Sequence, residues 1–462
     1  MHILLQAGCV FLASAFLLAA RAAPSAANLA ESAKTTPLPL PSASARQLFS
    51  RYKERLVQVR VLLNTASEQS ALGSGFVVQN EKGKGALVMT NYHVVSSLAI
   101  HPEKYRIELR PTSERSVKAV LIAVDVIHDL ALMRVVEAEA DAPTWPAFSL
   151  RTDALAQGEK VFALGNPLEL GFLISEGIYN GPVESRIYEQ MLFSGALNSG
   201  MSGGPAIDEA GRVVGINVAT HSKGSLLSFL VPVEFASTLL ARAKDAAPRK
   251  EWRTEIGKQL LAHQQFVTEK LLASAPATVA SATTPAPVSA GFATQTLVTR
   301  KVQTLDGALT KCWAGGRDGE RLRYQSDTLQ CSLSSGVYVR GNLSTGMVKL
   351  SHRLLRNDTL AMPQFLALES GGGGASFAYT SDYSVEKSRS ECRDDYVSGS
   401  AKTYRVSICL TGYRKFEGLY DFSLHATQID DVRERLTSEL SLAGFSFDNG
   451  QRISRLFLDR LQ

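Results

Sequence analysis

From Arg46 to about Val233 the apolar residues come in short runs of β-branched and aliphatic side chains broken by turn residues: "RLVQVRVLL", "GSGFVV", "GALVMT", "YRIELR", "SVKAVLIAV", "DLALMRV", "KVFALG", "FLISEGIYNG", "MLFSG", "RVVGINVAT" and "LLSFLVPV". About a dozen strands with little helix between them predict an all-β barrel or sandwich rather than alternating βαβ units. The pattern changes at Glu234. "FASTLLARA" is short and amphipathic, and "RKEWRTEIGKQLLAHQQFVTEKLLASA" places Trp252, Ile256, Leu260, Val267 and Leu271 near i, i+4 spacing, a packing face for a neighbouring domain or a second copy. Residues 274–291, "SAPATVASATTPAPVSAG", form a Pro/Ala/Thr-rich linker. Beyond it, residues 292–462 mix strands ("RLRYQSDTLQCSLS", "GVYVRG", "TYRVSICLTGY") with two final stretches of helical spacing, "IDDVRERLTSELSLAG" and "QRISRLFLDRLQ", and predict a smaller α+β domain. Gly371 to Gly374 predict a flexible loop; without a following helix and lysine they make no phosphate loop.

Composition adds limits to this picture. A chain of 462 residues exceeds one ordinary core, and 45% hydrophobic with 20% charged residues is the balance of a folded protein. The net charge of +5 is mild, and no run of Lys and Arg interleaved with aromatics appears, which argues against a nucleic-acid partner. The start of the chain is apolar from Ile3 to Ala20 and continues into Ala20-Arg21-Ala22, which predicts a secretory signal peptide over residues 1–22 and a disordered Ala/Pro/Ser-rich leader over 23–45. Left uncleaved, the same run would anchor the chain in a membrane. Cys9 sits badly for a lipid-modified cysteine, because Gln6 stands where leucine is needed.

Cysteine usage agrees with export. Cys312, Cys331, Cys392 and Cys409 all lie in the last domain, an even number that predicts two disulfides; pairing Cys312 with Cys331 and Cys392 with Cys409 closes the shortest loops. A zinc site is the competing reading, weakened by the lack of a close C-x-x-C pair. The sequence predicts no metal and no cofactor.

The chemistry sits in the first region. "ALNSGMSGGPAID" satisfies G-x-S-x-G at Gly200-Met201-Ser202-Gly203-Gly204, a pattern shared by nucleophile elbows and by other serine hydrolases. A serine nucleophile needs a base within reach, a carboxylate to orient that base, and backbone N–H groups aimed at the oxyanion. Upstream, "MTNYHVVSS" offers His93 and "VDVIHDLALMRV" offers Asp129, giving the chain order His, Asp, Ser. An α/β-hydrolase runs Ser, acid, His and enters a helix after the serine. Here Pro205 and the β-like "AIDEAGRVVGINVAT" follow, so the elbow reading fails. Ser199, the rival serine, is not followed by Gly-Gly and reads as a loop residue. His128, His101 and His221 read as surface or loop histidines, and Asp125 as a loop support.

Together these segments resemble the trypsin-fold serine proteases and, within them, the bacterial Deg/HtrA branch. "TNYHVV" resembles that family's T-N-x-H-V-V, "DVIHDLALMRV" its D-x-x-x-D-L-A-V-L-x-V, "LGNPLELGFLISEGIYNG" its G-N-P segment, and "ALNSGMSGGPAID" its A-I-N-P-G-N-S-G-G-P-L; "RVVGINVAT" and "FLVPVEFASTLL" follow in the family's order. The resemblance covers about Leu48 to Ala241 and implies a double six-stranded β-barrel protease domain over 46–241, followed by a helical segment over 242–273. It implies His93 as general base, Asp129 as its orienting carboxylate, Ser202 as nucleophile, and the N–H groups of Gly200 and Ser202 as the oxyanion hole. It also implies an S1 pocket with Ala196 at its base and Asn217, Val218 and Ala219 on its wall, suited to small or medium aliphatic P1 residues. Two departures stand out: Met201 replaces the usual Asn or Asp, and no PDZ-like sequence follows.

The function expected is that of an exported serine endopeptidase acting on proteins or peptides in the bacterial cell envelope, in quality control or processing. Homo-oligomers and an envelope partner for the C-terminal domain are further expectations. Two rivals remain at this level: a non-catalytic trypsin-fold binding or chaperone-like protein, and an envelope-binding protein whose main role lies in residues 292–462.

Overall fold

The continuous apolar character of several strands has a simple cause: they are buried on both faces. In a computed structural model, which describes residues 42–66, 68–81, 84–111, 115–136, 145–167, 170–184, 186–220, 227–273, 292–305, 309–317, 323–368, 386–398 and 402–461, six antiparallel strands close a first barrel. They are β1 (Leu56–Leu63), β2 (Gln69–Glu81), β3 (Gly85–Thr90), β4 (Tyr105–Pro111), β5 (Val117–Asp125) and β6 (Leu130–Val135), in the order β1-β2-β3-β6-β5-β4. Val57, Val59, Val61, Ala86, Val88, Ala131 and Met133 fill its interior. The alternate residues Leu56, Leu87, Met89, Leu130 and Leu132 turn outward onto the second barrel.

That second barrel comprises β7 (Lys160–Gly165), β8 (Leu173–Pro182), β9 (Met191–Phe193), β10 (Pro205–Ile207), β11 (Val213–Thr220) and β12 (Ser228–Pro232), in the order β7-β8-β9-β12-β11-β10, the topology of the first barrel repeated. Phe162, Leu164, Ile207, Ile216 and Val231 meet the outward face of the first barrel in one core. At roughly 1.5–3 kcal/mol for each fully buried large aliphatic or aromatic side chain, this seam fixes the two barrels against each other. Helix α1 (Ala43–Tyr52) begins inside the stretch expected to be a disordered leader, because Leu48 and Tyr52 bury against the same seam. α2 (Tyr92–Ile100) interrupts the first barrel, and α3 (Val233–Ala243) closes the second.

The long helix α4 (Arg253–Ala273) carries the predicted stripe, and the stripe serves two cores. Trp252, just ahead of it, together with Ile256 and Leu260, joins the apolar cluster that includes the first barrel, whereas Val267 and Leu271 join the core of the C-terminal region. That region pairs β13 (Phe292–Leu297) with β14 (Arg300–Leu305) and builds a seven-stranded antiparallel sheet. Its strands are β15 (Thr310–Arg317), β16 (Tyr324–Leu333), β19 (Met347–Asn357), β23 (Glu434–Phe445), β22 (Tyr420–Gln428), β21 (Thr403–Gly412) and β20 (Glu391–Ser398), in that spatial order. β17 (Val337–Arg340) and β18 (Leu343–Thr345) form a separate hairpin, α5 (Met362–Ala367) is a short helix, and α6 (Phe447–Leu458) packs Ile453 and Phe457 against the sheet.

Within the stretch "IDDVRERLTSELSLAG", residues 434–444 form a strand, not a helix. Leu436, Leu440 and Leu442 point into the sheet core, and pairing with β19 and β22 on both sides overrides the helical spacing of the stretch. Cys312 pairs with Cys331 and Cys392 with Cys409, each bond joining directly opposed residues of an edge strand and its neighbour. The two exposed edges of the sheet are thus stapled at symmetric places. The signal, the linker and the Gly371 to Gly374 run lie outside the described residues.

Candidate active site

Asn91 follows the apolar strand β3 as the N-cap of α2, which starts at Tyr92, so His93 sits in the first turn of a helix rather than in a loop. The turn between β5 and β6 supplies Asp129, whose backbone takes a left-handed φ of 57°, a conformation that Asp tolerates better than most residues. Three contacts lock the two segments together: Tyr92 N–H and the Asn91 side-chain amide donate to the Asp129 carbonyl at 3.1 and 2.8 Å, and His93 N–H donates to Asp129 Oδ1 at 2.8 Å. The ring then has one orientation. Nδ1 lies 2.6 Å from Asp129 Oδ2, and Nε2 has no partner among the described residues. Burial favours the neutral imidazole, but the Asp129 charge and its hydrogen bond outweigh burial and raise the His93 pKa above its ordinary value of 6.5.

Ser202 comes from the turn between β9 and β10. Gly200 and Gly203 hold φ of 93° and 85°, which only glycine adopts without strain. A side chain at Gly203 would run into Thr90 Oγ1 and the Ser74 carbonyl, so this turn lies against the strand end that leads to His93. Ser74, on β2, is the main tie. Its N–H donates to the Ser202 carbonyl at 2.8 Å and its hydroxyl to the Gly200 carbonyl at 2.7 Å, while the hydroxyl accepts from Asn166 N–H at 2.9 Å. The N–H groups of Gly200 and Ser202 donate to no acceptor among the described residues, as an oxyanion hole requires. The Ser202 hydroxyl donates to the Val218 carbonyl at 3.1 Å and makes no hydrogen bond with His93 Nε2. Ser199 is exposed on the outer side of the same turn.

Residues 73–216 match the family model of the trypsin-like peptidase domain. This segment is a trypsin-like peptidase domain. Curated relatives of the peptidase domain include the "Probable periplasmic serine endoprotease DegP-like" of Hahella chejuensis (strain KCTC 2396), 31% identical over 194 residues, covering 40% of this chain and 38% of that protein. The "Serine protease HTRA2, mitochondrial" of Bos taurus is 31% identical over 181 residues, covering 37% of this chain and 36% of that protein. The chain thus spans under two fifths of the length of these relatives. Among solved structures, the serine endoprotease from Yersinia pestis is 25% identical with a TM-score of 0.37, over 44% of this chain and 67% of that one. The segment is similar in sequence to serine proteases of the DegP and HTRA2 kinds.

Within it, Met201 occupies the place of the usual Asn or Asp. Its side chain is fully buried in the second barrel, tight against Gly165, and its backbone accepts from Gly204 N–H at 3.0 Å and from the Asn217 amide at 3.3 Å. The substitution therefore fills core space instead of reaching substrate. Asn217, expected on the S1 wall, is also fully buried and ties the Leu164 and Met201 carbonyls together, so it supports the Ser202 turn from behind. Ala196 is exposed and Val218 half-buried; the side chain of Ala219 lies outside the described set. Asp125 accepts from His128 N–H at 3.1 Å and pairs with its ring at 2.9 Å, holding that histidine in the turn beside Asp129 and against Phe235. Ser74 was legible only as the small residue between two strand glycines in "GSGFVV", a mark of close backbone approach.

Proposed function

We propose that the chain is a serine endopeptidase that cleaves peptide bonds through an acyl-enzyme, with Ser202 as nucleophile, His93 as general base and acid, and Asp129 as the carboxylate that orients it. The Ser202 oxygen attacks the scissile carbonyl as its proton passes to His93 Nε2. The carbonyl oxygen, now anionic, accepts from the N–H groups of Gly200 and Ser202. His93 returns the proton to the leaving amine, the C–N bond breaks, and water, deprotonated by His93, hydrolyses the ester to free Ser202. The observation that carries this reading is the Asp129–His93 pair, held by three further bonds, beside a turn that leaves two N–H groups unpaired.

The uncharged pocket around Ala196 and Val218 favours small or medium aliphatic P1 side chains. The apolar start of the chain and the DegP-like relatives support action in the bacterial envelope on exported proteins. No helix among the described residues is long and apolar enough to cross a membrane. The test is hydrolysis of casein and of quenched peptides by the full chain and by Ser202→Ala. Cleavage by the former alone, after Ala or Val rather than Arg or Lys, is expected; equal inactivity of both supports instead a non-catalytic binding protein.

A further inference from the structure

The β17–β18 hairpin leaves the C-terminal sheet and lies on α2, the helix that carries His93. Tyr338 meets the His93 ring edge-on, with centroids 6.1 Å apart and planes at 84°. Its hydroxyl accepts from Gly341 N–H at 2.8 Å and lies 3.4 Å from Ser96 Oγ. The buried Tyr92 hydroxyl, next to His93, donates to the Val339 carbonyl at 3.0 Å. Between the hairpin and the first barrel a cavity of about 450 Å³ opens beside His93, with Ser96, Lys104, Tyr338, Arg340 and Glu386 in its lining.

The charges around it are unequal. Glu386, the acidic residue in the lining, is held by Arg340 at 2.8 Å and Lys415 at 3.0 Å. His101 stays neutral near pH 7, because burial and then Lys415 depress its pKa, and its other ring nitrogen faces Glu103 at the rim. Three cations (Lys104, Arg340, Lys415) therefore stand against two carboxylates (Glu103, Glu386), and Lys104 is exposed at the mouth.

Resting on the peptidase reading above, we propose that this cavity is the subsite for the leaving-group half of the substrate and that it selects a carboxylate, with Arg340 and Lys104 as its partners. The direction follows from the chemistry. His93 hands its proton to the leaving amine, so that half of the chain emerges on the His93 side. The P1 candidates Ala196 and Val218 belong to the second barrel, whereas the cavity is built from the first barrel and the C-terminal hairpin. The planar fork of Arg340 suits a carboxylate. That carboxylate can come from an Asp or Glu side chain within a longer substrate or from the free C-terminus of a short one. The C-terminal region thereby becomes a specificity element of the protease.

The experiment uses the full chain and quenched peptides that share one P1 half. They carry Glu, Gln or Lys at each of the first three leaving-group positions, each made as free acid and as amide. The readout is the Glu/Gln ratio in kcat/KM, which cancels differences in the amount of active enzyme between variants. At one position the ratio is expected to be about five, the worth of one partly exposed ion pair. It should fall towards one in Arg340→Gln, and in Lys104→Glu it should fall below one while the Lys peptide becomes the best of the three; that substitution, at an exposed turn, keeps the test informative if the hairpin variant folds poorly. A preference that follows the free acid rather than the side chain supports the same site with a chain end as its ligand. Ratios near one at every position with either chain end, or a preference untouched by both substitutions, overturn the proposal. Failure of the peptidase reading looks different: no peptide is cut at all, and this proposal falls with it.

Discussion

At His93 two opposing influences meet. Burial disfavours the imidazolium, and Asp129, 2.6 Å from Nδ1, favours it by charge and hydrogen bond; the second prevails and the pKa rises above 6.5. A general base must be neutral to act, so activity is lost as pH falls through that raised value, and the acid limb of kcat/KM should lie above pH 6.5. Asp129→Asn removes both raising influences and leaves burial. Its acid limb should therefore move to lower pH, with kcat/KM falling by about 10³–10⁴ as the tautomer is lost; a limb that stays in place would mean that Asp129 does not set the base. At Gly203, φ of 85° and a methyl-sized space already taken by Thr90 Oγ1 and the Ser74 carbonyl predict that Gly203→Ala costs about 2–4 kcal/mol, read as a lower denaturant midpoint. The candidate triad was legible in sequence because each member sits in a short motif whose neighbours fix its backbone. The supports were not: Asn217 and Ser74 act through contacts with residues far along the chain, which no local pattern records.

Among the elements, α4 joins the two regions. His263 on its middle turns is buried between the Tyr188 hydroxyl at 2.7 Å and the Ser335 carbonyl at 2.8 Å, and burial lowers its pKa to about 4. It is neutral in the folded chain and titrates near 6.5 when unfolded, so its contribution to stability is full above pH 6.5 and is lost as pH falls towards 4. Denaturant midpoints should drop over that range, and less steeply in His263→Gln; an equal drop in both would assign the acid sensitivity elsewhere. The periodicity of α4 gave its existence but not its partners, since the stripe divides between two cores that form only in the folded chain. The same limit explains β23, where leucines at helical spacing are drawn into a central strand by two neighbours distant in sequence.

Across the whole molecule, the linker composition marked a boundary that the packing does not respect. Trp252, Ile256, Val337, Val339, Leu343, Tyr413, Phe416 and Leu419 share one apolar cluster with the first barrel. Truncation after Ala273 uncovers that barrel where the hairpin and the Tyr413 to Leu419 segment lie. The truncated chain should bind a hydrophobic dye and be cut by added trypsin far faster than the full chain, whereas equal resistance would show that the peptidase domain folds alone. An all-β barrel or sandwich was readable from strand runs and turns, because two-sided burial leaves a continuous apolar signature, whereas the pair of barrels was implied only by the resemblance of the motifs; the C-terminal sheet was only partly readable, since its edge strands are exposed and polar. The proposed chemistry rests on Ser202 being a nucleophile activated by His93. Treating the full chain, Ser202→Ala and His93→Ala with an organofluorophosphonate and locating the adduct by peptide mass spectrometry tests it directly. A single adduct on Ser202 is expected, absent in Ser202→Ala and strongly slowed in His93→Ala. An adduct that persists in Ser202→Ala, or an unlabelled full chain, would contradict it.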